Sequence, residues 1–353
     1  MEVKIELLKN VPYINLPGIK DDGRGVSLDA YFEPGEGVFK APFFFEGEYR
    51  ELRPEDLVAF YYSTKPANPT LDVSLSIFNT MNKKYFYNKI ANTIWALMQD
   101  FVSLSGIIEI YFILCERSSR RRSEDIRFLV RNLLEYLLFV IRSAFDLIQK
   151  ITKNVVFMNR GFEIPGSFND MFRSNGDFRS GKWPGIPEEI VDFYKASYPF
   201  FLIFKDLRDA IGHRDVALSP IYDLYGDFGL GIKMAEKKTV FTPFGDYGVW
   251  PVEERKPNDI GSTLSFIIFG ITELIKVTDV LSESLIKSFP ITPLIKNEYG
   301  VYFRGGYTHH LLDLEKFKIN PWAPFAPSPP PPSAAGKGFS GRGARRVAQG
   351  KGR

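Results

Sequence analysis

The segment that most constrains this chain runs from Ser123 to Lys150. Ser123-Glu124-Asp125 has the pattern of a helix start: a side-chain acceptor followed by two acids that suit the positive end of the helix dipole. Beyond it Ile126, Leu129, Val130, Leu133, Leu134, Leu137, Ile141, Ala144, Phe145 and Ile148 recur at helical spacing and mark one apolar stripe. Arg127, Arg131, Glu135, Arg142 and Lys150 stay mostly off that stripe. A helix with so long an apolar face buries it against other helices, so the chain must contain a helical bundle.

Three further segments supply partners. From Asn82 to Glu116 the chain has no Pro and one Gly, and Ile90, Ile94, Leu97, Met98, Phe101, Leu104 and Ile108 fall on one helical face. A basic cluster, Arg117 with Arg120 to Arg122, closes that helix at its carbonyl end; a solvated helix junction and a nucleic-acid patch are the two readings of it. Helix returns at Pro187-Glu188-Glu189-Ile190, is bent or restarted at Pro199, and continues through an apolar run from Phe200 to Leu207. The last helix spans about Asp259 to Ser288 and stops at Pro290.

Between these helices the composition changes. Residues 155–186 and 215–257 are rich in Gly and Pro and read as a long loop and a strand-and-turn insertion. Residues 1–68 are punctuated the same way and carry short aromatic and β-branched stretches, the pattern of a β-rich N-terminal region. The expected organisation is that region, a helical bundle over 69–290 interrupted by the two insertions, a C-terminal extension at 291–320 and a Pro/Gly/Arg-rich tail at 321–353. The tail has too little apolar area to offset its ordering entropy and is expected to be disordered. It reads either as a phosphate-seeking segment or as an unselected extension. The fold class is mainly α.

Charge and cysteine content narrow the function. Lys plus Arg is 45 and Asp plus Glu is 42, for a net charge of +3. Residues 333–353 hold six basic residues and no acid, which leaves −3 on residues 1–332. No global basic field therefore argues for nucleic acid, and any such site must be a local patch. A single cysteine, Cys115, excludes an intrachain disulfide and a Cys-built zinc site and fits a reducing compartment. Its place in an apolar helix makes it a core residue. With three His in the chain, a His-rich metal site is not expected either. The apolar runs Phe101–Cys115 and Ile260–Leu281 fall short of the ~20 uninterrupted residues a membrane span needs, and the N-terminus alternates rather than forming a leader. A cytoplasmic protein without a membrane segment is the expectation.

Two motif matches carry nothing. Gly336, Gly338 and Gly341 have dinucleotide-loop spacing but lack a preceding strand and a following helix. His309 and His310 follow Gly305-Gly306-Tyr307 in what reads as a surface turn, and a tandem pair cannot close a metal site alone.

One constellation stands above this background: Leu207-Arg208-Asp209-Ala210-Ile211-Gly212-His213-Arg214. It resembles the signature of the HEPN superfamily (higher-eukaryote and prokaryote nucleotide-binding), an Arg, a polar residue, three or four further positions and then His, near the end of a late helix in a bundle. Arg208, Asp209 and His213 match it residue by residue, and the flanking helices over roughly 80–290 match its architecture. Arg304 and His309 repeat the bare spacing with Gly305 in the polar position and no helix around them, so context rather than spacing favours the first instance.

The chemistry follows from helix geometry. Asp209 and His213 are four residues apart and can meet on one face, where a carboxylate would fix the imidazole tautomer and raise its pKa. Arg208 lies about 100° round from Asp209. A guanidinium and an imidazole near one phosphate form a site that calls for no metal and no cofactor: the Arg neutralises phosphoryl oxygens and the His moves the proton of a ribose 2′-hydroxyl or of the leaving 5′-oxygen. Lys205 and Arg214 are either auxiliary phosphate contacts or ordinary solvated charge. The resemblance implies a metal-independent endoribonuclease acting on RNA, a homodimer in which two such sites face each other, and a prokaryotic defence or toxin–antitoxin setting. It equally admits a non-catalytic helical module that keeps the fold for dimerisation or for binding a protein partner, and a site that binds a small nucleotide without cleaving it. Exposure separates them: a nuclease needs Arg208 and His213 open to a basic concavity, whereas a module can bury both in internal pairs.

Overall fold

In the computed structural model the described residues are the backbone of five strands within 13–63, together with residues 65–66, 68–85, 88–212, 216–222, 228–234, 249–250, 260–292 and 300–319. The expectations placed on His213, Arg214 and the tail beyond 320 lie outside them. The described residues are mainly helical, with seven α-helices. These are α1 (Ser76–Lys84), α2 (Asn88–Arg120), α3 (Glu124–Arg160), α4 (Glu188–Gly212), α5 (Thr263–Ser288), α6 (His309–Leu312) and α7 (Leu314–Ile319).

Helices α2 and α3, of 33 and 37 residues, form a hairpin about 50 Å long, joined by residues 121–123. Ser123 occupies the N-cap of α3 in extended conformation, and Glu124 and Asp125 fill its first turn. The predicted stripe is the buried one: Leu134, Leu137, Ile141, Ala144, Phe145 and Ile148 are all at most 1% exposed, whereas Leu129 is 42% exposed. Helices α4 and α5 pack onto α3, and α5 also touches α1 and α2, so one core runs through all five. At about 1.5–3 kcal/mol for each large apolar side chain buried, this stripe is the main term holding α3 in place. The helices converge closely at Gly270 on α5, where an added methyl group would meet Ile141 Cδ1 at 2.9 Å and Phe204 Cζ at 3.1 Å.

Helix boundaries depart from the sequence reading at α5, which begins at Thr263 and not near Asp259, and in three further places. The single helix expected from Asn82 is two, because Tyr85 leaves helical backbone angles (φ −126°, ψ 29°) and buries its ring. Its hydroxyl donates to the Phe289 carbonyl at 3.3 Å, a tertiary contact invisible in the local pattern. Helix α3 continues past 155 to Arg160, with Val155 and Val156 buried, and ends at Gly161 in the left-handed region (φ 75°), whose N–H bonds the Phe157 carbonyl. Pro199 sits inside an unbroken α4. It forfeits one backbone hydrogen bond, while Phe200, Phe201 and Phe204 beside it are buried and hold the helix against α3 and α5.

The loop after α3 is a packed element. Phe168, Phe172, Phe178 and Trp183 bury their rings, and Phe172 stacks on Tyr198 of α4 at 3.6 Å between centroids. Buried Gln149 secures it by donating to the Pro165 carbonyl and accepting from the Tyr194 hydroxyl at 2.7 Å.

The described strands form three small antiparallel sheets, of which those holding β6–β8 and β9 contact the helices. β6 (Val216–Tyr222), β7 (Phe228–Met234) and β8 (Gly261–Ser262) form one, directly before α5, and Ser262 caps that helix by accepting from the Ser265 N–H. β2 (Tyr31–Glu33), β3 (Val38–Phe45) and β4 (Glu48–Leu52) form a second. β1 (Tyr13–Asn15), β5 (Ala59–Ser63) and β9 (Gly300–Arg304) form the third, in which β5 pairs with β9 from Ala59↔Arg304 to Ser63↔Gly300. The chain after α5 thus returns to the N-terminal strands, and Val73 bridges to Phe303 alongside.

One helix also meets the length and mean hydropathy (1.5) of a membrane crossing, residues 90–120 of α2, where none was expected. Half of that window is buried in the protein, with Leu97, Leu104 and Ile108 enclosed by the bundle, while Trp95, Ile110 and Ile113 of the same helix are 45–49% exposed.

Candidate functional site

The last turns of α4 present the predicted side chains. Leu207 anchors the segment in the core at 4% exposure, and Arg208, one position on, swings its side chain to 50% exposure. Arg208 Nη1 donates to Asp209 Oδ1 at 2.9 Å. Lys205, one turn earlier, lies 3.2 Å from Asp209 Oδ2 and 3.3 Å from Asp206 Oδ1. Both oxygens of Asp209 are therefore engaged by cations. Partial burial alone would raise its pKa, but the hydrogen bonds and charges of Arg208 and Lys205 outweigh that and hold the carboxyl below its ordinary value. Burial likewise pulls the Lys205 ammonium down, and Asp209 and Asp206 together push it above its usual value. The structure thus brings Arg208, Asp209 and Lys205 together. Asp209, the carboxylate expected to orient an imidazole, holds two cations among the described residues, and its expected partner His213 lies outside them.

Arg208 also lines a cleft of about 300 Å³ between α3 and α4, with Phe139, Arg142, Ser143, Asp146, Leu147 and Lys150. Three cations face one carboxylate there. Arg142 donates to Asp146 at 2.5 Å and its guanidinium carbon sits 5.1 Å from the centroid of the Phe201 ring, so its direction is set by both neighbours. Lys150 has no carboxylate within ion-pairing distance among the described residues. Ser143 hydrogen-bonds Asp100 of α2, whose carboxyl is pushed up to about 6 by burial, and Asp100 Oδ2 is enclosed without a partner.

Sequence reading placed Arg142 and Lys150 on the polar side of α3 and did not join them to Arg208. The signal was present: an aromatic residue, Phe139, interrupts the polar face of an amphipathic helix one turn before Arg142. A second concavity, about 400 Å³ between the start of α3 and β6, balances Glu124 and Asp125 against Arg127 and Arg131 and has no net charge to offer a polyanion.

The competing spacing match resolves structurally. Arg304 is 5% exposed and doubly bonded to buried Asp72. His309 and His310, expected on a surface turn, lie instead on α6, and His310 is buried with Nε2 2.8 Å from Glu109 Oε2 of α2. Burial, and then the neighbouring His310, hold His309 below its usual pKa. Cys115 is buried in α2. Among the described residues no group of three or more His, Cys, Asp or Glu side chains is arranged to hold a metal ion.

No protein-family profile matches this chain, and no curated protein or solved structure matches it at a significant level.

Proposed function

We propose that this chain is a metal-independent endoribonuclease of the HEPN type, with Arg208 and His213 as its catalytic pair. The observation that carries this reading is Arg208: half-exposed near the end of a packed helix, at a cleft where it joins Arg142 and Lys150. A guanidinium has five N–H donors, and the pairing with Asp209 occupies one nitrogen, so the rest are available to phosphoryl oxygens. In this reading His213 abstracts the 2′-hydroxyl proton, the 2′-oxygen attacks the adjacent phosphorus, and the P–O5′ bond breaks as the opposing copy's His gives the 5′-oxygen a proton, leaving a 2′,3′-cyclic phosphate and a 5′-hydroxyl. Arg208 neutralises the charge that builds on the phosphoryl oxygens. A second copy of the chain supplies the opposing His and Arg, so the working form is a homodimer. Residues 1–68 form a β-rich recognition region beside an HEPN-like bundle, and the protein works in the cytoplasm of a prokaryote in a defence or toxin–antitoxin system.

One observation favours a second reading. Asp209 neutralises both Arg208 and Lys205, as in a structural helix end, and this suits a non-catalytic interaction and dimerisation module. An RNase assay separates the two. Cleavage that survives chelator, leaves a 2′,3′-cyclic phosphate and is abolished in His213→Ala supports the nuclease. Cleavage that persists in that variant, or is absent from the wild type, refutes it.

A further inference from the structure

Helix α3 carries a second feature on the same face as the basic cleft. Phe139, at 59%, is the most exposed large apolar side chain among the described residues, and Tyr136 beside it is 47% exposed. Their rings lie nearly parallel, 16° apart, with centroids at 6.5 Å. Neither ring is used by the core, and the two sit side by side on the exposed surface of α3. From Tyr136 through Phe139, Ser143 and Asp146 to Lys150 the steps are three or four residues, so these positions share one face. That face is about 21 Å long, the length of about six stacked nucleotides. Arg142 and Arg208 flank it from the side of α4.

The geometry points to this face as a track for single-stranded RNA, with Tyr136 and Phe139 stacking bases while Arg142, Lys150 and Arg208 hold the phosphates. Aromatic rings accept any base, because every base has a π-face, and cations spaced along one groove follow a backbone without reading sequence. Charge decides the class of occupant. Arg142, Lys150 and Arg208 outnumber their carboxylate neighbours Asp146 and Asp209 by one, and that surplus suits a polyanion and disfavours an apolar helix, which would have to desolvate Lys150 and Arg208. A duplex keeps its bases stacked internally and gains nothing from the two rings. The assignment rests on the nuclease reading for what happens at the scissile bond, but strand binding is measurable without cleavage.

The test titrates the full chain carrying His213→Ala into short fluorescent oligouridylate, its 2′-deoxy counterpart and a short RNA duplex, followed by anisotropy. Both single strands should bind, the duplex about tenfold more weakly. Tyr136→Ala with Phe139→Ala should weaken both single strands by about 30-fold or more, and Phe139→Trp should keep binding at the wild-type level. Lys150→Ala should lower the salt slope by about one. Equal affinity for strand and duplex, or unchanged binding by the double aromatic variant, overturns the track. A wild-type chain that binds strands without cutting RNA removes the nuclease reading and leaves the track standing. One that cuts RNA while the aromatic variant binds normally removes the track alone.

Discussion

Arg304, the last residue of β9, grips Asp72, just ahead of α1, through two parallel hydrogen bonds of 2.6 and 3.0 Å, although 232 residues separate them. Both side chains are almost wholly buried, at 6% and 0% exposure. The pair ties the end of the described chain to the entry of the helical bundle, beside the Val73–Phe303 bridge. Removing Arg304 takes a doubly bonded cation away from buried Asp72, which keeps the hydrogen bond from the Asn68 N–H. Arg304→Ala should therefore cost about 3–5 kcal/mol of unfolding free energy. Chemical denaturation followed by circular dichroism checks this, and a loss below about 1 kcal/mol would show that the pair is not enclosed as described.

At Arg208 the expectation is the opposite for stability and strong for activity. Its side chain is half in water and its partner Asp209 is adjacent in sequence, so Arg208→Ala should leave the melting temperature nearly unchanged. RNA cleavage should fall by about 100-fold or more, as for other donors aimed at developing charge. Arg208→Lys should recover only part of it, since an ammonium cannot bridge two phosphoryl oxygens in the plane of a fork. Rates and melting curves on the same preparations test the two halves together.

Asp100 and Asp209 should make stability depend on pH with opposite signs. The Asp100 carboxyl titrates near 6 in the fold and lower when unfolded, so between about pH 4 and 6 the native state holds more protons and stability falls as pH rises. Asp209 is held below its ordinary value, so its contribution is present above the unfolded pKa and is lost as pH falls through the folded one. Asp100→Asn removes the first effect, and its amide can still meet Ser143. One carboxyl oxygen is enclosed while the residue as a whole is only partly buried, so the gain at pH 8 should be about 1 kcal/mol. Denaturation midpoints across pH 4–8 should flatten in this variant, and an unchanged profile would contradict the assignment.

Gly161 offers a clean backbone test. Its φ of 75° is left-handed, and an added methyl group would meet nothing within 4 Å. Gly161→Ala should cost about 1 kcal/mol through conformation alone, and Gly161→Asn less, because Asn tolerates that region. Thermal melts of the two variants give the comparison directly.

Within the sequence itself lay the helical character, the stripe of α3 and the start of that helix at Ser123, because a 3.6-residue period and a cap are local properties of contiguous residues. Arg208 and Asp209 were legible by the same token, as a short motif on one helix. The break at Tyr85, the packing of 162–186 onto α4, the burial of His310 against Glu109 and the Asp72–Arg304 pair were decided only by tertiary structure. Each depends on a partner brought in from a distant part of the chain, and no local period records which segments meet. The cleft is of this kind too. Arg142 and Lys150 read as solvated charge on one helix until α4 lays Arg208 beside them, and only that apposition gathers the three cations at one cleft.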